Sequence, residues 1–225
     1  MFQALLPTLA VLWTLLPQAA VAQPDTARGA LIALGGGPGG ARNACFTCHG
    51  IAGAGQAATG TPALAGLDAD YLKRQLDDYA SGRRPNEIMS PIAHGLGPAE
   101  RQAVSRYYAE MPRGPAESAA RPDAALLQEG AALYAAGAPP RDVQACLDCH
   151  GPKGHGLDPV PAVAGQPAAY TAGQLRLWQE GKRTNDPDGV MARVARKMTV
   201  REIAAVAAYL ESLTAVSLQS DRSRW

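Results

Sequence analysis

Cys45-Phe46-Thr47-Cys48-His49 recurs 101 positions later as Cys146-Leu147-Asp148-Cys149-His150. The two pentapeptides take up all four cysteines of the 225-residue chain and two of its four histidines. Two thiols on one turn followed at once by an imidazole is the pattern that attaches a c-type haem. The sulfurs add across the vinyl groups and the imidazole binds iron from one side. Three other chemistries use paired cysteines. One zinc ion could take four sulfurs, but the gap between the pairs far exceeds zinc-ribbon spacing. A thioredoxin-like site needs a βαβ setting, and no strand-rich stretch flanks either pair. Two structural disulfides would leave the repeated histidine unexplained. The expectation is therefore two covalently bound haem c groups.

Outward from the pentapeptides the halves align along most of their length. A shift of 101 superposes Gly29-Ala30 on Gly130-Ala131 and Pro38 on Pro139. A shift of 99 pairs Pro62 with Pro161, Gly66 with Gly165, Tyr71 with Tyr170, Gln75-Leu76 with Gln174-Leu175, Gly82 with Gly181 and Asn86 with Asn185. A shift of 102 pairs Met89 with Met191 and Tyr107 with Tyr209. Small loop indels between steady elements mark a duplicated domain, and two copies are too few for a solenoid.

Each half reads as helical. A first helix carries a glycine (Gly29, Gly130) and runs into a Gly/Pro-rich loop before the pentapeptide. The Gly35–Gly40 run lacks a following Gly-Lys-Ser/Thr, so it reads as a loop and not a phosphate cradle. A middle helix is expected over Asp70–Ser81 and Ala168–Glu180. The last helix starts at Pro98 in one half. In the other it starts at Thr199-Val200-Arg201-Glu202, a capping box, and Ile203, Val206, Ala207 and Leu210 then form one apolar stripe. The expected division is a signal over 1–22, domains over 23–112 and 123–214, a Pro-rich linker over 113–122 and a tail over 215–225.

The signal reading rests on an apolar run from Leu5 to Leu16 and the small-residue pattern Ala20-Val21-Ala22, and it predicts export to the periplasm. The segment before that run has no Lys or Arg. An uncleaved anchor is the alternative, although the run is short for a span. The net charge is +1, from 21 basic and 20 acidic residues spread evenly over the halves. No basic stripe invites nucleic acid, and peripheral association with a membrane stays compatible. Aromatic residues make up 5% of the chain, a thin supply for two cores. A buried porphyrin would add the missing apolar bulk.

His49 and His150 are expected to fill one axial position on each iron. The duplication selects Met89 and Met191 for the other, in a loop just before the final helix, where a thioether favours the reduced metal. Met198 and Met111 have no counterpart in the other half. Neither do His94 and His155, though His94 lies five residues past Met89 and a His/His first haem is the alternative.

The pattern resembles the class I cytochromes c, and among them the dihaem cytochrome c4 group, over nearly the whole chain after residue 22. It runs from Cys-x-x-Cys-His through Pro-Ala-Leu-Ala-Gly at 62–66 and Pro-Ala-Val-Ala-Gly at 161–165. Tyr-x-x-x-Gln-Leu, Gly-x-Arg, the methionine and Ala208-Tyr209-Leu210 follow. Leu67 stands where Gln is usual, as Gln166 is in the second half, and Tyr107-Tyr108 replaces Tyr-Leu. The resemblance implies an all-α chain of two tandem class I cytochrome c domains, related by duplication and each wrapped around one covalent haem. It implies that the carbonyls of Pro62 and Pro161 orient the axial histidines. Tyr71, Tyr170, Arg84 and Arg183 would meet haem propionates, unless the arginines simply face solvent.

An iron held by His and Met has no open site for substrate. The expectation is an electron-transfer protein and not an enzyme: a carrier between a quinol-oxidising complex or dehydrogenase and a terminal oxidase. The alternative is a dihaem subunit of a periplasmic dehydrogenase. A peroxidase needs an iron that can open, and a thiosulfate-oxidising dihaem enzyme would want a cysteine ligand that this chain cannot spare.

Overall fold

A computed structural model describes residues 25–114 and 123–213. The signal, most of the linker and the whole of the tail expected from the sequence lie outside them. Helices α1 (Asp25–Gly35), α2 (Phe46–His49), α3 (Ala69–Ser81), α4 (Met89–His94) and α5 (Pro98–Glu110) form the first half. Helices α6 (Ala124–Ala136), α7 (Leu147–His150), α8 (Ala168–Gln179), α9 (Val190–Arg196) and α10 (Val200–Ser212) repeat them in the second. Among the described residues β-pairing is confined to three isolated bridges. The all-α, duplicated architecture read from the sequence is the one observed.

The frame of each domain is a crossing of its first and last helices, α1 on α5 and α6 on α10. Glycine makes each crossing close. A Cβ on Gly29 would stand 2.7 Å from Tyr107 Cβ and nearer still to the Ala103 carbonyl, and Gly130 meets Tyr209 and Ala205 in the same way. The apolar stripe of α10 is buried as its spacing requires, with Ile203, Val206, Ala207 and Leu210 all in the core. Its start is fixed by Thr199 and Glu202, whose side chains each bond the other residue's backbone N–H, an arrangement worth about 1 kcal/mol. At α5 the carboxylate of Glu100 accepts the N–H of Gly97 (2.7 Å).

The repeat is not strict inside the cores. Each domain buries one tyrosine almost completely, Tyr108 in the first and Tyr134 in the second. Tyr108 comes from the last helix, where the second half has Leu210, whereas Tyr134 comes from the first helix, where the first half has Ala33. The large ring has changed helices between copies, which keeps the core volume roughly constant.

The domains join through a polar core with approximate two-fold symmetry. Gln75 of α3 accepts from Arg84 of its own domain (2.8 Å) and Arg183 of the other (3.2 Å). Gln174 of α8 accepts from Arg183 of its own domain and Arg84 of the other, both at 2.8 Å. Arg84 also donates to the Tyr170 hydroxyl at 3.0 Å. Asn185 donates to Gln75 (3.0 Å) and to the Asp78 carboxylate (2.6 Å). The guanidinium of Arg84 lies over the Tyr79 ring and that of Arg183 over Trp178, 4.6 and 4.0 Å from the ring centroids.

Candidate functional site

Each pentapeptide closes a single helical turn. The His49 N–H donates to the Cys45 carbonyl (2.9 Å), and that of His150 to Cys146 (2.9 Å). The turn puts both thiols and the imidazole on one short piece of backbone. Gly50 and Gly151 then end the helices. All four sulfurs are unpaired. Before attachment to haem, burial pushes the Cys45 thiol above its ordinary range and that of Cys146 up to about 11; once joined to the vinyl groups, neither sulfur titrates.

The pentapeptide histidines are locked by backbone. His49 Nδ1–H donates to the Pro62 carbonyl at 2.9 Å, and His150 Nδ1–H donates to Pro161 at the same distance. A carbonyl oxygen can only accept, so Nδ1 carries the proton and Nε2 keeps its lone pair for a metal. Burial lowers the pKa of both imidazoles more than these bonds raise it, which keeps them neutral as ligands must be.

What aims the proline carbonyls went unread in the sequence. The carbonyls of His49 and His150 accept from Gly55 and Gly156 (2.9 and 2.8 Å), folding the chain back on itself. A Cβ on Gly55 would stand 2.6 Å from the Pro62 carbonyl carbon, and one on Gly156 2.8 Å from that of Pro161. Both residues also have positive φ, 77° and 81°, which a side chain would strain. The signal was available: Gly55 and Gly156 repeat at the same offset of 101 as the pentapeptides.

Met89 is the first residue of α4 and Met191 the second of α9, so neither sits in a loop, which corrects the sequence reading. Asn86 makes the first helix possible: its side-chain oxygen accepts from the N–H groups of Ile88 (3.0 Å) and Met89 (2.8 Å). In the second domain Asp186 bonds the N–H of Ala192 (3.0 Å) and the Trp178 indole (3.1 Å). Both methionines are half-buried, and Met191 packs on the same core cluster as Cys146. His94 is exposed at the far end of α4, beside Tyr79 and Ser90 in a surface recess. Arg84 and Arg183 do not face solvent. Each is 5% exposed.

The donor set suits a macrocycle better than a bare ion. Among the described residues no group of three or more His, Cys, Asp or Glu side chains is placed to hold a metal by itself. What the chain offers at each pentapeptide is one neutral imidazole and two thiols on the same turn. The family model described as Cytochrome c matches residues 40–112 and 127–214.

The chain belongs to the cytochrome c family.

The expected kinship with the dihaem cytochromes c4 holds as well. The crystal structure of reduced recombinant cytochrome c4 from Pseudomonas stutzeri superposes with a TM-score of 0.73 at 30% identity, covering 85% of this chain and all of that one. A thiosulfate dehydrogenase from Marichromatium purpuratum, in its as-isolated form, gives a TM-score of 0.76 at 38% identity over 83% of this chain. This chain spans 40% of that longer one. In sequence, 43% identity over 192 residues links it to the thiosulfate dehydrogenase electron acceptor of Stutzerimonas stutzeri strain A1501, covering 85% of this chain and 88% of the relative.

This cytochrome thus carries two covalent haem c groups, one at Cys45 and Cys48 and one at Cys146 and Cys149, and it is a dihaem electron carrier. Among the described residues neither Arg84 nor Arg183 is paired with a carboxylate. Two buried cations with neutral partners call for anions, and the carboxylate edge of a haem in each domain would supply them.

Proposed function

We propose that this cytochrome is a periplasmic carrier that takes electrons from a thiosulfate dehydrogenase and delivers them to a terminal oxidase. His49 with Met89, and His150 with Met191, are the axial ligand pairs. The observation that carries the donor assignment is the 43% identity, over most of both chains, with a relative named for accepting electrons from that enzyme. The apolar run and Ala20-Val21-Ala22 pattern at residues 1–22 support export. No helix among the described residues is long and apolar enough to cross a membrane.

Bound haem supplies a one-electron ferrous–ferric couple. The chain's residues hold that couple in place. Proline carbonyls fix each imidazole ring, Asn86 and Asp186 anchor the helices that carry Met89 and Met191, and Arg84 and Arg183 would pair with the propionates. A six-coordinate site of this kind has no position for substrate, so thiosulfate is oxidised on the partner.

Mixing the oxidised cytochrome with a thiosulfate dehydrogenase and thiosulfate should reduce both haems. No reduction, with rapid reduction by a quinol-oxidising complex instead, overturns the donor assignment. Met89→Leu and Met191→Leu should each remove half of the far-red methionine-to-ferric-iron band; an unchanged spectrum rejects that ligand. The match to part of a longer dehydrogenase chain favours a second reading, a tightly bound subunit. Co-elution with a catalytic chain at fixed ratio would select it.

A further inference from the structure

The interface is symmetric at Arg84 and Arg183 but not at residue 166. The Gln166 side chain, 5% exposed, reaches across to the first domain and clasps one residue of its backbone. Its Oε1 accepts the Ala63 N–H (3.0 Å) and its Nε2–H donates to the Ala63 carbonyl (2.8 Å). The Ala63 N–H belongs to the same peptide unit as the Pro62 carbonyl, and that carbonyl accepts from His49 Nδ1–H at 2.9 Å. An unbroken chain of hydrogen bonds therefore runs from Gln166 through one amide to His49. Among the described residues there is no equivalent return path. Leu67, the counterpart of Gln166 at the offset of 99, is buried in the first core, with Ala162 packed against the same cluster.

We propose that Gln166 is a positioning residue for the N-terminal haem, so that the second domain tunes the first but not the reverse. An amide whose N–H donates a hydrogen bond has a more negative carbonyl oxygen, because linked bonds polarise one another. A stronger acceptor at Pro62 draws the Nδ1 proton and makes His49 a more basic ligand. A more basic ligand favours ferric iron and lowers the potential of that haem alone. The inference rests on His49 being an axial ligand.

The test is Gln166→Leu in the intact dihaem protein, with potentials measured separately for the two haems. The N-terminal haem should become easier to reduce, by up to tenfold in its reduction equilibrium, about 59 mV for one electron. The C-terminal haem should not move. In nuclear magnetic resonance the His49 Nδ1–H signal should shift and exchange faster, with that of His150 unchanged. Gln166→Met, of similar length and without donor or strong acceptor, serves where the leucine variant fails to assemble. Equal shifts at both haems, or none at the first, overturn the proposal. The ligand assignment fails separately: without it, His49 ring protons show no hyperfine shift in the ferric wild-type protein.

Discussion

The hydroxyl of Tyr134 shows how much one atom can matter beside a haem site. It donates to the Gly151 carbonyl at 2.6 Å in a buried setting, tying α6 to the residue that ends the pentapeptide turn. Burial raises the pKa of this hydroxyl well above that of a free phenol, so it stays a donor throughout the ordinary pH range. Tyr134→Phe removes one of two donors to the Gly151 carbonyl and leaves it the Gly154 N–H at 3.1 Å, a loss of about 0.5–1.5 kcal/mol. A lower denaturant midpoint with an unchanged slope would report it. A midpoint equal to wild type would mean that water replaces the hydroxyl. No periodicity points to this tyrosine, because its counterpart is Ala33 and its partner is backbone. A repeat finds what two copies share, and Tyr134 is what they do not. The two pentapeptides were legible for the opposite reason: their chemistry constrains type and spacing in both copies.

Helix positions were legible where capping and periodicity agree, as in α10, and less so where a side chain caps from a distance. The short helix α4 looked like a loop because Pro91 sits in it and its cap, Asn86, lies three residues before its first residue. Gly29 and Gly130 were legible as crossing points, and they lead to a contrast within one molecule. In α6, Gly130→Ala drives a methyl group into the Ala205 carbonyl and Tyr209 Cβ of α10. Overpacking of this kind costs about 1–3 kcal/mol. In α8, Gly173 has nothing within 4 Å of the position of an added Cβ, and Gly173→Ala should stabilise by up to about 1 kcal/mol through helix propensity. Chemical denaturation should rank the proteins Gly173→Ala, wild type, Gly130→Ala; any other order refutes the crossing geometry. A second helix pairing responds to pH. Burial favours the acid form of Asp77, but Lys73 (2.7 Å) and Arg101 (2.6 Å) outweigh it and hold the carboxyl below the usual carboxylate range. A depressed pKa stabilises the fold above the unfolded value and loses that contribution as pH falls through the folded one. Asp77→Asn should therefore be less stable than wild type at neutral pH, with the gap closing below about pH 4. A gap independent of pH would assign the loss to packing.

At the scale of the whole molecule the sequence fell short at the junction. It showed two domains and paired Gln75 with Gln174, but not that Arg84 and Arg183 turn inward to share them. Contacts between copies leave no periodic trace, and an arginine that packs on Tyr79 or Trp178 has the same letter as one in water. Gln75 tests what the junction does. Its single amide oxygen accepts from Arg84, Arg183 and Asn185, two of which belong to the other domain. Gln75→Leu keeps the volume and takes this acceptor from three donors; Asn185 retains Asp78, and Arg84 and Arg183 retain Gln174, but the guanidinium N–H groups that faced Gln75 lose their partner. Each unsatisfied buried group costs about 1–3 kcal/mol, more when charged, so the loss is comparable with the stability of a small domain. It falls on docking, because α3 and α8 keep their own helical bonds. Wild-type protein should melt in one calorimetric transition, with both haem domains reporting together, and Gln75→Leu in two. A single transition at the wild-type temperature in the variant would show that docking does not depend on this amide, and that the symmetry of the network is geometric and not energetic.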